Sequence, residues 1–137
     1  MKVGSTACAA AAIAALLGAG AASAHHSFAM FDQKKPTTIT GVVHEFQWTN
    51  PHAFIEIDAP GAGGVTERWS VELNSPNNLK RQGWKRTTFS PGDKANVIIA
   101  PLRDGGKGGL FVAATLPDGK VIGDPTRAGV TTNVSRP

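Results

Sequence analysis

Four histidines hold the metal-binding chemistry of this 137-residue chain: His25, His26, His44 and His52. The single cysteine, Cys8, lies in the apolar run near the start. His25 directly follows Ala22-Ser23-Ala24, a small-x-small sequence of the kind that signal peptidase cuts. Cleavage there would make His25 the first residue. A free α-amine beside an imidazole then chelates one ion with two nitrogens. An amine whose ordinary pKa is ~7.7–8 gives up its proton to a divalent metal near neutral pH at small cost. With a further imidazole the pair makes the tetragonal nitrogen set that Cu(II) prefers.

Secreted copper proteins that begin with histidine use this arrangement, the histidine brace, and the sequence is similar to them in that one feature. His26 is a competitor or a helper, since a His-His terminus also binds Cu(II) through amine, intervening amide and second ring. Ser27 occupies the third position, where the tightest amino-terminal copper peptides carry histidine. For the completing ring there are two candidates. If Trp48 and His52 flank a three-residue turn, Phe46 faces Phe54 and His44 faces Glu56. His44 and His52 are then about 13 Å apart along the ladder, at ~3.3 Å per residue, so they cannot share an ion. His52 has the exposed turn position and is preferred; His44 has a carboxylate neighbour.

Other constellations are weaker. In this register Glu45 lies on the opposite face from Glu56, so Glu45, Glu56 and Asp58 form no carboxylate pair. Ser27, Ser70, Ser75 and Ser90 lack the sharp strand-to-helix setting of a nucleophile. Lys80, Arg81, Lys85 and Arg86 gather around Trp84 and offer a contact for an anionic polymer or lipid head group. The plainer reading is a solvated helix end whose cations suit the dipole. Trp48 and Trp84 are candidate stacking residues for a partner, or the bulk of a small core. Met30, between two phenylalanines, reads as packing.

These residues need a scaffold, and the remaining pattern supplies one. Residues 1–24 read as a signal peptide, too Ala-rich and short for a stable span. No later run approaches membrane length, so no transmembrane segment is expected after cleavage, and the location is periplasmic or secreted. The segment 25–36 reads as an arm packing by its aromatics. Strands are expected from Thr37 to Trp48, His52 to Asp58, Thr66 to Leu73, Lys94 to Ala100 and Leu110 to Leu116, with a short sixth ending at Ile122. Between the third and fourth, Ser75-Pro76 opens a two-turn helix that Gly83 stops. The order predicts an all-β domain with one short helix over 37–122, a five- or six-stranded antiparallel OB-like barrel. The non-periodic stretch 123–137 is expected to be disordered.

The spaced motifs together resemble a known family. His25-His26-Ser27-Phe28 after a leader, Gly41-Val42-Val43, Trp48-Thr49-Asn50-Pro51-His52, Leu73-Asn74-Ser75-Pro76-Asn77 and Gly83-Trp84 are similar to a family of small exported Gram-negative proteins. It is the domain of unknown function numbered 6152. The resemblance runs from about His25 to Ile122 and implies a compact β-rich exported domain without established activity, cofactor or catalytic residues.

Composition narrows the classes that remain. Removing the leader leaves no cysteine, hence no disulfide framework, thiolate site or cysteine nucleophile. The formal charge is +4. So small an excess, on an exported chain, argues against nucleic acid as a partner. Two readings stand. One is a non-catalytic periplasmic binding module that takes Cu(II) or another divalent ion at His25. The other is a metal-free module that docks a periplasmic protein or polymer through an aromatic and basic face. No acid–base pair or open metal site follows from spacing, so an enzyme ranks below both.

Overall fold

Alternation decides which side of each strand meets the core, and β2 (Phe54–Pro60) shows it most plainly. Ile55, Ile57 and Ala59 are buried, while Phe54, Glu56 and Asp58 face outward. The computed structural model describes residues 28–129. The expected leader, His25, His26 and residues 130–137 lie outside the described residues. The chain up to Met30 is a unit of its own, in which Phe28 and Met30 are exposed. The second unit starts at Phe31 and contains every strand of the sheet.

β2 pairs antiparallel with β1 (Thr37–Gln47) on one side and β3 (Thr66–Glu72) on the other. β1 also pairs with β4 (Lys94–Pro101), and β4 with β5 (Gly108–Thr115). A short β6 (Val121–Gly123) extends β5. The ring closes where β3 meets β5, from Ser70 opposite Gly108 to Glu72 opposite Leu110, and that pairing is parallel. A fully antiparallel barrel was expected, but a ring with an odd number of strands cannot alternate direction at every step. One parallel contact is therefore forced by topology, and closure hides the strand edges.

Helix α1 (Pro76–Arg81) forms as its sequence dictates. The Ser75 side chain accepts from the Asn78 amide, Pro76 takes the first turn, and Gly83 follows at φ +85°. A left-handed φ there ends the helix at no cost only for glycine. Leu79 anchors α1 to the core, and Trp84 and Phe89 follow it inward. Gly41 permits a close approach of β1 to β2, since a Cβ there would lie 2.4 Å from the Asp58 carbonyl oxygen.

Both ends of the barrel add short elements. After Gly123, Asp124 Oδ1 accepts from the Thr126 amide at 3.1 Å and caps a 3-10 turn, Pro125–Ala128. In the expected arm, Phe31 is 3% exposed and bridges to Leu102.

Candidate functional site

A bulge in β1 rearranges the face on which the histidines sit. The ladder runs Val42 opposite Asp58 and Val43 opposite Ile57, then shifts, so that Glu45 is opposite Glu56 and Phe46 opposite Ile55. His44 is the extra residue. The uniform register placing His44, Phe46 and Trp48 on one face is therefore corrected: Val43, Phe46 and Trp48 turn to the core, while His44 and Glu45 turn outward. A one-residue slip flips every side chain beyond it. Glu45 and Glu56 become direct neighbours, not residues on opposite faces. The pairing also stops at Gln47 opposite Phe54, so the loop is six residues long and His52 belongs to it rather than to a strand.

The outer face of β1–β3 thus collects Glu45, Glu56, Asp58 and Glu72, with Arg68 as its cation and a histidine at each end. At one end Arg68 donates Nε to Asp58 Oδ1 at 2.9 Å and Nη2 to Oδ2 at 3.1 Å. The same Nη2 donates to His44 Nδ1 at 3.0 Å. The same Nδ1 lies 3.3 Å from Asp58 Oδ2, so this ring nitrogen faces a guanidinium that can only donate and a carboxylate that can only accept. The Arg68 hydrogen bonds hold the Asp58 carboxyl below the usual carboxylate range, and Asp58 in turn raises the guanidinium.

At the other end His52 Nδ1 contacts the Glu72 carboxylate. A carboxylate accepts, so here Nδ1 carries the hydrogen and Nε2 keeps its lone pair. The loop around it is pinned. Thr49 Oγ1 donates to the His52 carbonyl at 3.0 Å, the Ala53 amide to Asn74 O at 3.2 Å, and the Leu73 amide to Ala53 O at 2.9 Å. Between the two ends Ser70 Oγ donates to Glu56 Oε1 at 2.7 Å, and Gln47 Nε2 to Glu45 Oε2 at 3.1 Å.

Among the described residues no group of three or more His, Asp or Glu is arranged to hold a metal by itself. His44 and His52 stay apart, as expected: the residues opposite their carboxylate partners are Val42 and Phe54, at opposite ends of the β1–β2 ladder. The partner-binding set divides. Lys80, Arg81, Lys85 and Arg86 are exposed, whereas Trp48 (8% exposed) and Trp84 (6%) are core residues, so the basic group has no aromatic face beside it. Phe46 meets both rings, with centroids 5.5 Å and 6.3 Å away. Arg68 and Glu72 escaped the reading of motifs, and Asp58 entered it only as a carboxylate without a pair. The usable signal was the apolar spacing of three between Val43 and Phe46, which breaks the period of two.

The class is now defined: a closed five-stranded mixed β-barrel of OB-like topology, with a sixth strand, one short helix and an acidic outer face. The chain belongs to the family of unknown function DUF6152, whose model matches residues 12–112. No curated protein matches it. Among solved structures it is similar to the mitochondrial single-stranded DNA binding protein Rim1 of S. cerevisiae, with a TM-score of 0.45 and 13% identity over 60% of this chain and 92% of that one. The selenomethionine-labelled form of the same protein gives a TM-score of 0.43 at the same identity and coverage. Net charge is the ground on which nucleic acid was excluded as a partner. A small overall excess says nothing about where charges sit on such a barrel, and the exclusion is not kept.

Proposed function

We propose that this is an exported, periplasmic binding protein that takes Cu(II) at a terminus created by cleavage before His25. The amine and imidazole of His25 supply the chelate, and His26 competes for it locally. Of the two histidines in the barrel, His52 is the one equipped to add a ring. The observation that carries this reading is the His52–Glu72 contact. A metal-binding imidazole commonly gives its second nitrogen to a carboxylate, which fixes the ring and raises its basicity. At His44 the Nδ1 is shared between the Arg68 guanidinium and Asp58 Oδ2 at 3.3 Å, a carboxylate that Arg68 already holds.

The test is Cu(II) titration of protein beginning at His25, followed by electron paramagnetic resonance. His52→Ala should lower affinity at least about tenfold, since losing a ligand costs no less than losing the partner that orients it. His44→Ala should leave it within about threefold. An added N-terminal alanine should weaken binding strongly. Equal affinity for the His25-first and Ala-extended proteins would remove the proposal.

A further inference from the structure

We propose a second, independent site: the end of α1 and its connection to β4 form a docking surface for the phosphate head groups of an anionic phospholipid bilayer. From Asn74 to Gly92 the sequence holds no Asp or Glu and four cations, Lys80, Arg81, Lys85 and Arg86. All four are exposed, and among the described residues none of them forms an ion pair. In a chain of modest net charge, this concentration is local.

The underside of the segment holds it in one shape. Leu79, Trp84 and Phe89 are buried, and the Trp84 ring meets Phe111 edge-on with centroids 5.1 Å apart. The Trp84 amide donates to Leu79 O at 3.0 Å, the Lys85 amide to Thr88 Oγ1 at 2.8 Å, and the Thr88 amide to Lys85 O at 2.9 Å. The cations therefore project from a backbone that is already ordered, and docking costs little further chain entropy.

Two observations select the occupant. Proteins that hold single strands stack bases on exposed aromatics, and here both rings of the segment point inward. The exposed large apolar residues, Phe28, Met30, Val42, Val65 and Val121, all lie outside it, so contact is made with head groups and not by insertion. The outer face of β1–β3, the surface that OB barrels use for oligonucleotides, carries the four carboxylates instead. An array of separate phosphates on a plane suits a compact group of four cations.

The test is sedimentation of the full chain with vesicles of phosphatidylcholine alone or mixed with phosphatidylglycerol. Binding should need the anionic lipid and should fall steeply as salt shortens the screening length. Each cation contributes about fivefold near such a surface, so K80Q/R81Q/K85Q/R86Q should lose about a hundredfold or more. K34Q/K35Q/K94Q/K120Q removes the same charge from exposed positions elsewhere and should lose far less; melting curves confirm that both variants fold. Equal losses in the two sets, or binding to phosphatidylcholine alone, would overturn the proposal. So would tighter binding of a single-stranded oligonucleotide at equal salt that the first set abolishes, which would assign the patch to nucleic acid.

Discussion

The two ends of the β1–β3 outer face hold the same pair of groups, an imidazole Nδ1 beside a carboxylate, and put them to opposite uses. At the His44 end the carboxylate is already engaged by Arg68 in a two-point ion pair, and the arginine reaches past it to the ring. At the His52 end the ring is the hydrogen-bond partner of Glu72 among the described residues. One additional cation is enough to change what the ring nitrogen meets: a donor and a shared carboxylate at His44, a carboxylate at His52. Which histidine is available to a ligand is thus decided by what else its carboxylate contacts, a property invisible in the spacing of histidines.

The contrast is broken most violently through the backbone behind the His44 end. Gly41→Ala would place a methyl group 2.4 Å from the Asp58 carbonyl oxygen and 2.8 Å from Ile57 Cγ2. Overpacking costs ~1–3 kcal/mol, and a backbone neighbour that cannot rotate away puts this case at the upper end of that range. Urea denaturation should show that loss, while nitrogen-15 shifts should move at His44 and stay in place at His52. If both rings move equally, the ends are one unit and the contrast fails.

Next in size is the effect on copper. Glu72→Gln keeps the shape but weakens the hold on Nδ1, and should lower Cu(II) affinity about tenfold, the scale of lost ligand-orienting partners. Asp58→Asn should change it less than about twofold, because His44 stands outside the set. Competition titrations with a chelator of known affinity measure both. A larger effect from Asp58→Asn would exchange the roles of the two ends.

Much of the scaffold can be read from residues alone. The cap at Ser75, the stop at Gly83 and the alternation in β2 each follow from local chemistry, and each sits where that chemistry demands. The parallel closure needed only the count of strands in the ring. The bulge is harder. No glycine or proline marks Val43-His44-Glu45, and Thr40, Val42, His44, Phe46 and Trp48 make a plausible single face. Only the spacing between Val43 and Phe46 betrays two alternations out of phase. Because each histidine's partner lies on another strand, that one-residue slip governed which carboxylates met which rings. Pairings such as Arg68 with Asp58 rest on registers that motif spacing does not contain.

A smaller effect probes the middle of the face, which both ends share. Glu45 and Glu56 are directly opposite on the ladder, and only Glu56 has the Ser70 hydroxyl as a partner. Like charges so placed destabilise by ~0.2–1 kcal/mol, so Glu45→Gln should raise stability by a few tenths of a kcal/mol in urea at neutral pH. A loss of stability would mean that the bond from Gln47 outweighs the repulsion.

The smallest effect is in acid, and it belongs to the His44 end alone. Arg68 hydrogen bonds hold the Asp58 carboxyl below its ordinary value of 3.8, so the folded state favours the ionised form more than the unfolded state does. That contribution is complete above the ordinary value and disappears as pH falls through the depressed one, a window below about pH 4. Wild type should therefore lose stability relative to Asp58→Asn on going from neutral pH into that window, because the amide has no proton to gain. The pair is solvent-exposed, so the difference between the two denaturation curves should be slight and should shrink further in salt. If the gap between the two curves stays the same from neutral pH into acid, Arg68 does not hold the Asp58 carboxyl down.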